Sequence, residues 1–110
     1  MRERVRADDL SILFICPSDE WGSLERRVIN DCHYLRDIGG SPVLYCIKGS
    51  PIDREAQKFS LPRQFYKGKK VNKIFDLTYF LDLRRVIEET KFDIIHCFSM
   101  DYVWTVCFLL

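Results

Sequence analysis

What is missing from these 110 residues narrows the field first. The five cysteines, Cys16, Cys32, Cys46, Cys97 and Cys107, include no C-x-x-C pair, and their number is odd. Three of them sit inside apolar runs, which reads as reduced core thiols and not as a disulfide framework; no metal site is expected from these spacings. No apolar run is long enough to cross a membrane. The first one follows a charged start (residues 1–9) and stops at Pro17, with no small-residue cleavage site after it, so a cytoplasmic protein is expected. Neither sign of charge is in excess: Lys plus Arg is 17, Asp plus Glu is 16, and the net charge is +1. That removes a global field for attracting nucleic acid, so no nucleic-acid partner is expected and any electrostatic function must be local. There is no G-x-G-x-x-G, no P-loop, no internal repeat and no low-complexity segment. A dinucleotide site is therefore disfavoured and no cofactor is expected.

What is present is a chain 47% apolar, long enough for one small domain with its own core. The stretch Phe92–Phe98 is apolar without alternation and too short for a helix. It reads as a strand buried on both faces, as in the interior of a parallel sheet. Leu10–Cys16 is a similar run and the first strand. From Leu24 the period becomes helical: Leu24, Val28, Ile29, Cys32, Leu35 and Ile38 fall on one stripe, with Ser23 as the expected N-cap and Glu25 in the first turn. Gly39-Gly40 should end this helix in a left-handed conformation. Pro42–Ile47 is the second strand, which makes a right-handed βαβ unit. A short helix is expected over Ile52–Phe59, a third strand near Phe65–Tyr66 or Ile74–Phe75, and a helix over Thr78–Thr90. Residues 101–110 read as a helix without a C-cap. The predicted fold is α/β, a doubly wound, mostly parallel Rossmann-like sheet of order 3-2-1-4. Residues 10–110 form one domain, incomplete at its C-terminus, after a charged tail over 1–9.

In such a sheet the ligand lies beyond the carboxyl ends of the strands, where the order reverses. The loop Ser18–Ser23 and the turn Phe98–Asp101 should face each other there, with helix N-termini at Ser23 and Ser99 that suit phosphate or a sugar hydroxyl. Gly22 either lets a ligand approach the backbone or only makes the turn. Trp21 either stacks on a sugar ring or only packs. His96 is either a hydrogen-bonded core histidine or a polar group that orients a substrate at the strand end. His33, beside Cys32 on the first helix, reads as structural or solvent-facing. Arg63, Lys67, Lys69, Lys70 and Lys73, with Phe65 and Tyr66 among them, make either a solvated loop or a basic surface for an anionic membrane or a phosphorylated acceptor.

Several of these residues stand in a familiar order. Trp21-Gly22-Ser23-Leu24-Glu25 opens the first helix, Leu35-Arg36-Asp37-Ile38-Gly39-Gly40-Ser41-Pro42-Val43 leads into the second strand, and Lys91-Phe92-Asp93-Ile94-Ile95-His96 comes much later. Together they resemble the N-terminal half of the GT-B-fold glycosyltransferases related to glycogen synthase. Gly22 and Ser23 stand at that family's two glycines and Glu25 at its glutamate. Asp93 and His96 match the start of its Asp-x-x-His-x-His motif. Ser41 replaces the usual histidine before strand two, and Phe98 stands where many members have the second histidine; Phe98 can pack on a sugar but cannot hydrogen-bond to it. The resemblance implies a nucleotide-diphosphate sugar as donor and a sugar or glycolipid as acceptor. It implies Gly22 and Ser23 near the donor phosphates and Trp21, Glu25, His96, Phe98 and Ser99 lining the substrate; it assigns no catalytic residue. The family's donor-binding second domain has no counterpart in this sequence, so the chain is not expected to catalyse transfer alone. The alternative is a non-catalytic α/β module that binds a partner through its crevice or sheet edge. An apolar edge at Phe92–Phe98 further predicts self-association.

Overall fold

The computed structural model describes residues 10–66, 77–89 and 91–97, with side chains from residue 81 onward in the second of these segments. The elements run β1 (Ser11–Ile15), α1 (Ser23–Asp37), β2 (Ser41–Ile47), α2 (Pro51–Lys58), β3 (Arg63–Tyr66), α3 (Leu77–Glu89) and β4 (Ile94–Cys97). All four strands are parallel in one sheet of order β3-β2-β1-β4, as the sequence predicts. The predicted helix over 101–110, Cys107, Phe98, Ser99, Lys67, Lys69, Lys70 and Lys73 lie outside the described residues.

Each end of α1 has a local cause. At its start Gly22, not Ser23, is the N-cap, and its N–H donates to Glu25 Oε1 at 2.7 Å. At its end Gly39 takes φ +98°, with Gly39 N–H donating to Arg36 O (3.0 Å) and Gly40 N–H to Leu35 O (2.8 Å). These two bonds form a Schellman motif and bear out the predicted left-handed stop. The short helix α2 begins with Ser50 as N-cap and Pro51 in its first turn. It ends in the same motif, with Ser60 at φ +52° and Leu61 N–H donating to Ala56 O at 3.1 Å.

Because successive strand residues point to opposite faces, the core divides in two. Phe14, Cys16, Leu44 and Cys46 pack with Val28, Ile29, Cys32 and Leu35 of α1 and with Ile52 and Ala56 of α2. Leu13, Ile15, Tyr45, Ile47 and Tyr66 pack with Leu83 and Val86 of α3. The second face also holds a polar tie. Tyr45 is fully buried and its hydroxyl donates to Asp82 Oδ2 at 2.7 Å; Asp82 Oδ1 accepts from Arg85 at 3.1 Å. A buried hydroxyl and a buried carboxylate are thus both satisfied.

The expectation that Phe92–Phe98 is buried on both faces is corrected. β4 occupies one end of the described sheet. Ile95 and Cys97 pack on the α3 side, but Ile94 is 45% exposed and His96 is exposed on the other side. No described helix covers that side of β4: α1 and α2 both belong to crossovers that lead from β1 towards β3.

Candidate functional site at the carboxyl ends of the strands

β1 and β4 are adjacent and parallel, with Phe14 opposite His96 and Ile15 opposite Cys97. The loop after β1 and the end of β4 therefore lie at the same end of the sheet. The His96 ring sits 5.6 Å from the Phe14 ring, tilted by 31°. It is a half-stacked, exposed group near the strand end, and the reading as a core histidine does not hold. Asp93, three residues earlier, does its work at the opposite end. Its carboxylate accepts from Ser11 N–H at 2.7 Å and its N–H donates to Ser11 O at 2.8 Å, which ties the start of β4 to the start of β1.

Glu25 is only 5% exposed, and the oxygen that binds Gly22 N–H is committed to shaping the turn. A Cβ on Gly22 would lie 3.3 Å from that same oxygen. Since φ at Gly22 is −136°, the backbone does not require glycine here; a side chain would instead crowd the Glu25 carboxylate, which would have to give by a few tenths of an ångström. Burial pushes the Cys16 thiol up to about 12, and the Glu25 carboxylate adds to the shift, so these two groups mark a closed, weakly solvated base to the turn.

Trp21 is 36% exposed, with the Arg26 guanidinium 5.9 Å above its ring. It forms one wall of an open groove of about 320 Å³ whose other walls are Pro51, Arg54, Glu55 and Lys58 of α2. The sequence reading picked out Trp21 but none of the α2 residues; the i, i+4 spacing of Arg54 and Lys58 was the available signal.

Arg63 does not belong to a loop of free cations. It lies in β3, half-buried; its guanidinium donates to Asp53 Oδ1 and stands 5.6 Å from the Phe65 ring. Asp53 in turn accepts from Gly49 N–H at 2.7 Å, so this ion pair closes the β2–α2 turn. Among the described residues no group of three or more His, Cys, Asp or Glu side chains is placed to hold a metal ion, and no helix is long and apolar enough to cross a membrane.

No family model and no curated protein sequence matches the chain. Among solved structures it is similar to a glycosyltransferase from Rickettsia africae ESF-5, with a TM-score of 0.72 and 22% identity over 91% of this chain. The match covers 26% of that glycosyltransferase, so this chain spans about a quarter of its length. At this identity the likeness establishes a shared α/β fold.

Proposed function

We propose that the chain is the acceptor-side N-terminal domain of a GT-B-type glycosyltransferase, which moves a sugar from a nucleotide-diphosphate sugar to an acceptor. The observation that carries this reading is that the loop holding the Gly22–Glu25 turn follows β1 at the same end of the sheet as His96, near the end of the adjacent parallel strand β4. The likeness to part of a glycosyltransferase structure supports it. In this reading Gly22, Ser23 and the first N–H groups of α1 lie beside the donor phosphates, where a helix N-terminus favours negative charge. Glu25 holds that turn in shape. His96, Phe98 and Ser99 line the acceptor side, and Lys67, Lys69, Lys70 and Lys73 draw the domain to an anionic, cytoplasmic membrane face that carries a lipid-linked acceptor. The donor is held mainly by a second α/β domain outside these 110 residues.

The test is a panel of nucleotide sugars offered to this chain alone and to the longer reading frame that contains it. The longer protein is expected to transfer sugar, and this chain alone to give no turnover above blank. Turnover by this chain, or a longer frame with no second α/β domain, would overturn the reading. One observation favours a second reading, a non-catalytic module that binds through its sheet edge: the exposure of Ile94 on β4. The absence of a second domain would select it.

A further inference from the structure

The groove between the β1–α1 loop and α2 points to the class of acceptor, and here we infer that it binds an anionic hexose, a sugar phosphate or a uronate. The inference rests on the transferase reading only for the word acceptor; the binding chemistry stands without it. Three observations converge. First, Trp21 keeps a large aromatic surface exposed in a groove it shares with Pro51. Flat apolar walls of this kind suit the C–H face of a pyranose ring, while the ring's hydroxyls stay in water. Second, the charge in the groove is unevenly compensated. Lys58 pairs with Glu55 at 3.0 Å, but Arg54, one turn before Lys58 on the same helix, has no ion pair among the described residues. Arg26 adds a second positive charge beside Trp21. A guanidinium is the side chain best suited to grip a phosphate or carboxylate with two parallel hydrogen bonds. Third, a volume of about 320 Å³ lies at the small end of ligand sites, which run roughly 300–1,000 Å³. It suits one sugar unit and not a dinucleotide. Two of its walls, Trp21 in the loop after β1 and Pro51 in the first turn of α2 after β2, lie at the same end of the sheet as the Gly22 turn.

The test follows the Trp21 indole N–H by two-dimensional NMR while the chain is titrated with glucose 6-phosphate, glucuronate, glucose and inorganic phosphate in turn. Leu substitution at Trp21 assigns the signal. At least one of the two anionic hexoses is expected to shift it and to bind at least about tenfold more tightly than glucose or phosphate alone, the size expected for one charge-assisted contact; the tighter of the two identifies the anion. Arg54→Gln should remove that preference, while Arg54→Lys should keep part of it. Arg54 is exposed, so unchanged signals elsewhere will confirm that both variants fold. Glucose binding as tightly as its phosphate, an unaffected Arg54→Gln variant, or no ligand shifting Trp21 would each overturn the inference. Tight neutral-sugar binding would leave the transferase reading intact, whereas anionic-sugar binding by a longer protein that transfers nothing would leave this site intact and remove that reading.

Discussion

β1 and β4 are neighbours with nearly the same recipe, Ser-Ile-Leu-Phe-Ile against Ile-Ile-His-Cys, and they lead different lives. Leu13 and Ile15 of β1 are fully buried and Phe14 nearly so, while Ile94 and His96 of β4 are exposed. The difference is position. β1 has a strand on each side and helices over both faces, whereas β4 has β1 on one side and described helical cover on the α3 face only. An apolar run reports what a strand can tolerate, and sheet order decides what it receives. The sharpest check of this contrast is a pair of truncations. Leu13→Ala should cost about 2–5 kcal/mol, as large-to-small changes in a packed core do. Ile94→Ala should stay within about 1 kcal/mol, since half the side chain is already in water. Chemical denaturation of both variants measures it, and equal losses would mean that β4 is covered on its outer face after all.

The same physics explains which features were legible. The βαβ unit of β1, α1 and β2 could be read directly, because periodicity changes cleanly from run to stripe and Gly39 marks the stop. The order β3-β2-β1-β4 is the one expected of a doubly wound sheet, and the four strands take it. β3 was only half visible: it has four residues and carries Arg63, whose charge is acceptable in a strand only because the buried Asp53 lies beside it. That pairing joins residues ten apart through a helix and a turn, and no periodic signal reports it. Gly22 stands out in the sequence, but its contact with Glu25, whose carboxylate lies 3.3 Å from where a Cβ would stand, is a distance and not a motif. The Trp21 groove was missed because α2 meets the β1–α1 loop only after β2 has been placed beside β1.

The thiols sharpen the comparison further. Cys16 follows β1 and Cys32 lies beneath it on α1; burial pushes both from 9.0 up to about 12, with Glu25 adding at Cys16 and Asp31 adding at Cys32. A group whose pKa is raised in the folded state contributes stability that is complete below its unfolded value and is lost as pH climbs through the folded one. Stability should therefore fall between about pH 9 and 12, by about 1.4 kcal/mol per pH unit for each such thiol. Urea midpoints across that range, compared with a Cys32→Ala variant, measure the slope; an unchanged slope in the variant would show that Cys32 does not contribute. Cys97 of β4 is only half-buried. At neutral pH it should react with a thiol reagent in the native chain while Cys16 and Cys32 wait for unfolding, and peptide mapping of the label will show the order.

The smallest effect on stability carries the largest consequence for β4. Ile94 exposes 45% of its surface on a strand at the end of the described sheet, where an apolar side chain invites a second copy. Only one exposed apolar side chain of the described strand offers itself, so self-association should be weak and strongly concentration-dependent. Ile94→Lys tests the face without disturbing the core. It removes a half-exposed apolar surface and places a charge where pairing copies would have to desolvate it. Its unfolding midpoint should match the parent within about 0.5 kcal/mol. Light scattering coupled to size exclusion should show the parent chain growing in mass with concentration and the variant remaining a monomer. If the parent is monomeric throughout, the outer face of β4 is covered within the single chain, and the contrast with β1 narrows to a difference in degree. If both self-associate alike, the contact lies elsewhere, and Leu81, 54% exposed on α3, is the next residue to charge.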